Sequence, residues 1–182
     1  MRKLALGVLL SAGVVAGCGV SANACGDKLL VLGRGIRLEA LLGNRTAKIL
    51  AYQHVGTRGA DLIANPQFQS AIKGAGYQLR IVRDTEELEV ALRVGKYDLL
   101  VSDIADANGL ESTLQSVPAA PTLIPILYQL TKADLASVEK RYRHVLKAYP
   151  KGANLSAIEQ ALETKLEAEA KLKREQRKTG GA

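Results

Sequence analysis

Tryptophan is absent, phenylalanine occurs once, and aromatic residues make up only 4% of the 182-residue chain. So few rings leave almost no stacking platforms for single-stranded nucleic acid. Cysteine occurs twice, at Cys18 and Cys25, and histidine twice, at His54 and His144. None of these joins a Cys/His/carboxylate cluster with ligand spacing, so no metal site or resident cofactor is expected. No serine sits in a Gly-x-Ser-x-Gly elbow, which removes one common hydrolase signature. Beyond the first two dozen residues no apolar run is long enough to span a bilayer, which excludes a polytopic membrane protein. There is no internal repeat.

What is present begins at the N-terminus. Arg2 and Lys3 form a short basic start, and Leu4 to Gly17 follow without a charge. That run has the length of a secretory h-region and falls short of the roughly 20 residues a spanning helix needs. Residues 1–24 therefore read as a signal peptide, and the protein as exported. Two processing sites are open. Ala22-Asn23-Ala24 fits ordinary cleavage, with Cys25 as the new first residue. Val15-Ala16-Gly17-Cys18 resembles a lipobox, which would make Cys18 a lipidated N-terminus and the protein a membrane-anchored lipoprotein. Either cut leaves Cys25 without an intramolecular cysteine partner, so an internal disulfide framework is excluded. Cys25 could itself carry a lipid, pair between chains or lie inert.

Cleavage leaves roughly 155 residues, enough for one domain with its own core. The formal charge of +7 falls to +5 when Arg2 and Lys3 are removed. A positive balance of this size suits anionic lipid or cell-wall polymers, and equally a protein that binds neither. Export argues further against nucleic acid as a partner, and leaves a lipid anchor as the only membrane attachment.

Downstream, apolar runs alternate with helical patterns. Strands are expected at Lys48–Tyr52, Tyr77–Arg83, Tyr97–Ile104, Thr122–Tyr128 and His144–Tyr149. The uncharged centre of the third suits a strand buried on both faces of a parallel sheet, and Pro125 in the fourth suggests an edge or an irregularity. Helices are expected over Asp61–Gly74, kinked or started near Asn65-Pro66, and after Asp84, where Glu87 completes a capping-box pattern. The latter helix would present Leu88, Val90, Ala91 and Val94 to the core. Further helices are expected over Gly109–Val117 and Ala133–Tyr142, the second with Leu135 and Val138 facing in. A last, long helix is capped by Asn154 and runs through Leu155, Ile158, Leu162 and Leu166 towards Leu172. Alternation at this spacing implies a single doubly wound (βα)5 domain with a parallel sheet over residues 47–166.

Two flanks lie outside that unit. Residues 25–46 hold Gly33-Arg34-Gly35, a turn or a partial phosphate cradle in which Leu38 replaces the third glycine of the dinucleotide fingerprint. Residues 167–182 are dense in Glu, Lys and Arg, with opposite pairs such as Glu167–Lys171 at helical spacing. They read as a charged helix extension and disordered tail, either solvated or partner-binding.

The segment Tyr97-Asp98-Leu99-Leu100-Val101-Ser102-Asp103-Ile104, followed by Asn108-Gly109-Leu110-Glu111, resembles the third strand and following helix of a response-regulator receiver domain. Lys48-Ile49-Leu50 resembles the receiver's first strand, and Leu146-Lys147 ahead of Pro150 its fifth. The resemblance spans Lys48 to Leu166 and implies a receiver- or flavodoxin-like fold. It places Asp103 at the phosphoacceptor position, with Gln53, His54 and Lys147 on the same rim. Receivers bind Mg²⁺ through an acidic pair at the end of the first strand, where this chain has Gln53 and His54. Neither supplies the negative oxygen that Mg²⁺ prefers. The proline that usually follows the phosphoacceptor is also missing from Ile104 to Asn108, and the switch position falls on Thr131 or Tyr128. Phosphorylation of Asp103 by the usual Mg²⁺-dependent route is therefore not expected. A structural carboxylate that caps the next helix or pairs with Lys147 is the alternative. Paired Glu86-Glu87 lies in a helix's first turn, where the macrodipole accounts for it without catalysis.

Three functions follow. The first is an exported, non-catalytic receiver-like signalling or interaction module with an unidentified protein partner. The second is a periplasmic small-ligand binder, because open α/β sheets bind ligands beyond the carboxyl ends of their strands. The third, an enzyme using Asp103, His54 and Lys147, lacks a nucleophile–base–orienter set.

Overall fold

A computed structural model describes residues 37–128, 132–149, 152–153 and 155–179. The export pattern, both cysteines and Gly33-Arg34-Gly35 lie outside these residues, as do Thr131 and the expected cap Asn154. Among the described residues no helix is long and apolar enough to cross a membrane.

A first helix, α1, covers residues 37–42. Then come β1 (Lys48–Tyr52), α2 (Arg58–Ala64), α3 (Pro66–Gly74), β2 (Gln78–Val82), α4 (Thr85–Val94), β3 (Leu99–Asp103) and α5 (Ile104–Gln115). The chain continues through β4 (Thr122–Tyr128), α6 (Lys132–Arg141), β5 (Leu146–Tyr149), a two-residue β6 (Gly152–Ala153) and α7 (Ser156–Thr179). The strand order is β2-β1-β3-β4-β5-β6. The first five are parallel, and β6 pairs antiparallel with the end of β5. This is the flavodoxin-like doubly wound order, and it reverses direction between β1 and β3.

Two apolar layers flank the sheet. Ile49, Ala51, Leu99, Val101, Ile124, Ile126 and Leu146 point to the side covered by α1, α2, α3 and α7. Leu50, Tyr52, Val82 and Leu100 point to the side covered by α4 and α5. Alternate residues of one strand thus feed both layers, so all five residues of β3 are buried. Leu38 of α1 belongs to the first layer, so the described residues ahead of β1, from 37 on, are part of the domain body.

Several elements depart from the sequence expectation. Asn65 both ends α2 and caps α3, its side chain accepting from the Gln67 N–H, so a helix does start at Asn65-Pro66, as one of the two expectations had it, and a separate short helix precedes it. Helix α5 starts directly after β3, because Asp103 caps it. In α4 the buried face is Leu88, Ala91 and Leu92, at i, i+3 and i+4, while Val90 and Val94 are 52% and 80% exposed. Pro125 stands in an interior strand, opposite Ser102 of β3, and forfeits one donor without ending the ladder. The capping Asp84 is as expected: its side chain accepts from the Glu87 N–H at 2.7 Å, while Glu87 accepts from the Arg83 N–H.

The N-terminal rim of the sheet is fastened by charge. Asp98, 6% exposed, accepts from the Lys48 N–H at 2.8 Å and from Arg45 at 2.6 Å. Lys165 of α7 donates to the carbonyls of Tyr97, Asp98 and Ala120. Burial lowers the Lys165 pKa from its ordinary value, with Asp98 and Glu169 acting against that shift.

Tyr77 sits where α3 meets β2, buried in the first layer. Burial, with Glu159 and Glu39 nearby, pushes its pKa up to about 12 from 10.0. The folded protein therefore holds the phenolic proton between pH 10 and 12, where the unfolded chain releases it. The contribution to stability is complete below pH 10 and is lost as pH rises through 12. Urea midpoints across this window should fall more steeply for wild type than for Tyr77→Phe. Parallel slopes would contradict the assignment.

Candidate functional site at the sheet's switch point

The carboxyl ends of β1 and β3 part at the reversal of strand order, which is where open α/β sheets hold ligands. Asp103 closes β3 there and is 7% exposed. Its Oδ1 accepts from the Ala105 N–H of α5 at 2.8 Å, and its Oδ2 from the Gly59 N–H of α2 at 2.7 Å. Each donor lies in the first turn of its helix, where backbone N–H groups have no partner within the helix. One buried carboxylate thus caps two helices, and both positive helix ends favour its charge.

That arrangement requires glycine at position 59. A Cβ there would stand 2.9 Å from Cβ of Asp103 and 3.0 Å from its Cα and Oδ2. Backbone and a buried side chain cannot yield as a flexible surface group would. Thr57 caps α2 from the other side, its hydroxyl accepting from the Ala60 N–H.

The β1 end carries Gln53 and His54. Gln53 prolongs the β1–β2 pairing through its N–H to the Val82 carbonyl, and its side chain donates to the Ala60 carbonyl at 3.4 Å. His54 stacks on Tyr52 with ring centroids 5.7 Å apart, and its Nδ1 lies 2.7 Å from Oδ1 of Asp106 in α5. Its carbonyl accepts from the Thr57 hydroxyl, which closes a turn containing Gly56 at φ +90. The other oxygen of Asp106, Oδ2, is buried with no hydrogen-bond partner. Tyr128, at the end of β4, has its pKa raised by burial and by the charges of Asp61 and Asp103.

The structure therefore gathers Asp103, Gln53 and His54 at the carboxyl rim of β1 and β3 and separates Lys147 from them. Register aligns Asp103 with Ile126 and Ile126 with Leu146. Lys147 is one residue further, so it points to the opposite face of the sheet. There it pairs with Glu139 of α6 at 2.7 Å, and between α6 and α7 it lines an open cleft of about 370 Å³ with Arg143, His144 and, from α7, Gln160. Burial, with Arg143 adding to it, lowers the His144 pKa in that cleft. Of the two structural roles open to Asp103, capping is realised.

Sequence reasoning passed over Gly59 and Asp106. Gly59 lies 44 positions before its carboxylate partner and reads in isolation as a turn residue. Asp106 reads as an ordinary first-turn acid, and only the fold brings it to His54.

The donor set does not suit the Mg²⁺ that the receiver resemblance implies. Gln53 offers a neutral amide and His54 an imidazole bonded to Asp106, while both oxygens of Asp103 accept backbone N–H groups. A hard cation of this kind takes carboxylate and water oxygens. Among the described residues no three His, Cys, Asp or Glu side chains are grouped so as to hold a metal ion. Comparison with protein-family models, with curated proteins and with solved structures finds no match to this chain.

Substitution should expose the fastening role. Gly59→Ala should cost about 1–3 kcal/mol through the forced clash, and Asp103→Ala a similar or larger amount through two orphaned N–H groups. The clash with Cα and Cβ of residue 103 persists in alanine, but the Gly59 N–H to Oδ2 bond is shared, so the double variant should cost less than the sum by up to about 1 kcal/mol. Chemical denaturation checks this, and strict additivity would contradict it.

Proposed function

We propose that the protein is an exported, non-catalytic, receiver-like interaction module in which the phosphoacceptor position serves as a structural fastener. The observation that carries this reading is the engagement of both Asp103 oxygens by the Gly59 and Ala105 N–H groups. Phosphorylation would turn one of these two engaged oxygens into the bridging oxygen of an acyl phosphate, a poor acceptor for the backbone N–H it now holds, and Gln53 and His54 supply no acidic pair to share a metal with. The flavodoxin-like strand order and the Tyr97–Ile104 pattern support the receiver likeness. The basic start, the uncharged run Leu4 to Gly17 and Ala22-Asn23-Ala24 support export.

Thermal unfolding of the full chain with beryllofluoride and Mg²⁺ tests the proposal. A ligand at 100 times its Kd adds about 2.7 kcal/mol, so a phosphorylatable site would show a clear rise in Tm. No shift is expected, and acetyl phosphate should leave no phosphoryl adduct in the intact mass. A shift abolished by Asp103→Asn would overturn the reading.

One observation favours small-ligand binding as a second reading. Buried Asp106 Oδ2 has no partner, and buried acceptors are normally satisfied. A ligand entering the switch-point crevice with an N–H or O–H group would supply the missing bond. In the same assay a metabolite that raises Tm for wild type but not for Asp106→Ala would select this reading.

A further inference from the structure

Helix α7 changes character along its length. Its first part packs on the sheet through Ile158, Ala161, Leu162 and Leu166. Three of its acids there are matched by cations of the domain body: Arg37 bridges Glu163 at 3.0 Å and also bonds Glu167, and Arg45 lies 3.7 Å from Glu169. Lys165 reaches the carbonyls ahead of β3 and β4, so the helix leaves the body at the N-terminal rim, opposite the switch point.

Residues 170–179 then continue as helix for about 15 Å at 1.5 Å per residue. Residues 171–178 are all exposed, including Leu172 at 58%. They hold five cations, Lys171, Lys173, Arg174, Arg177 and Lys178, against Glu175 alone. At 100° per residue these five fall within an arc of about 160°. The arc is centred about 100° round the helix from the stripe through Ile158, Leu162 and Leu166. Leu172, Glu175 and Gln176 occupy the remainder.

We infer that this arm docks flat on an anionic lipid bilayer through its one-sided basic face. A one-sided array matches a planar anionic surface, whereas a helix seated in a nucleic-acid groove meets phosphates along both flanks. The arm also has no aromatic side chain to stack on bases. Position on the domain agrees: the arm leaves the body at the N-terminal rim, away from the switch point, so its basic face can lie against a surface without covering Asp103 or Asp106. The inference is independent of what Asp103 or Asp106 does.

Co-sedimentation of the full chain tests it, with vesicles of phosphatidylcholine alone and of equal parts phosphatidylcholine and phosphatidylglycerol. One Lys or Arg at an anionic surface is worth about 1 kcal/mol, roughly fivefold in affinity. Binding to the anionic vesicles should be at least about tenfold tighter than to phosphatidylcholine and should weaken steeply towards ~0.5 M salt. The variant Lys173→Gln/Arg174→Gln/Arg177→Gln should lose at least about tenfold of the anionic binding. Its Tm should be unchanged, because all three side chains are exposed and glutamine is a good helix former. Equal binding by variant and wild type, or equal binding to both vesicle types, would overturn the inference; the second outcome would assign attachment to the apolar run. Tighter binding to duplex DNA than to the anionic vesicles would also overturn it.

Discussion

A single buried carboxylate joins the two halves of the fold where the strand order reverses. Asp103 ends β3, caps α5 through Oδ1 and holds the first turn of α2 through Oδ2. A lone buried carboxylate is costly, and two charge-assisted hydrogen bonds from helix N-termini offset that cost. The geometry follows from this pairing. Helix α5 must begin immediately after β3, α2 must approach β3 closely, and position 59 must lack a Cβ. The same pairing engages both oxygens of the strand-end carboxylate with backbone N–H groups.

The opposite rim has its own fastening, built with the signs reversed. There the cation Lys165 satisfies three carbonyls ahead of β3 and β4, while Asp98 takes up the Lys48 N–H and Arg45. Together the two rims fix α2, α5 and α7 against both ends of β3. This leaves the far part of α7 outside the body as a cationic arm, with Glu163, Glu167 and Glu169 of its near part already matched to Arg37 and Arg45.

Much of this order was legible in the residues. Lys48–Tyr52 and Thr122–Tyr128 form the strands their apolar runs announce, and Asp84 caps α4 as its spacing with Glu87 indicates. Asp103 stood out as a strand-end carboxylate, with helix capping among its possible uses. What could not be read depends on long-range approach. Gly59 matters only because α2 meets β3, and Asp106 only because α5 swings past His54. The sequence alone does not show which face Lys147 takes, because a single step of register decides it, and Leu146 takes the row that Asp103 occupies. Val90 and Val94 are exposed despite their apolar side chains, because a helix stripe read from apolar residues alone does not separate a buried face from an exposed one.

The central claim is that the Asp103 carboxylate is occupied by backbone N–H groups. Amide hydrogen exchange at Gly59 and Ala105 tests it most directly, since first-turn amides without a partner exchange readily. The account predicts protection at both positions comparable to Leu100 and Val101 in the buried centre of β3, and its loss at Gly59 in Asp103→Ala. Exchange of Gly59 and Ala105 at the rate of exposed amides in the wild-type protein would contradict it.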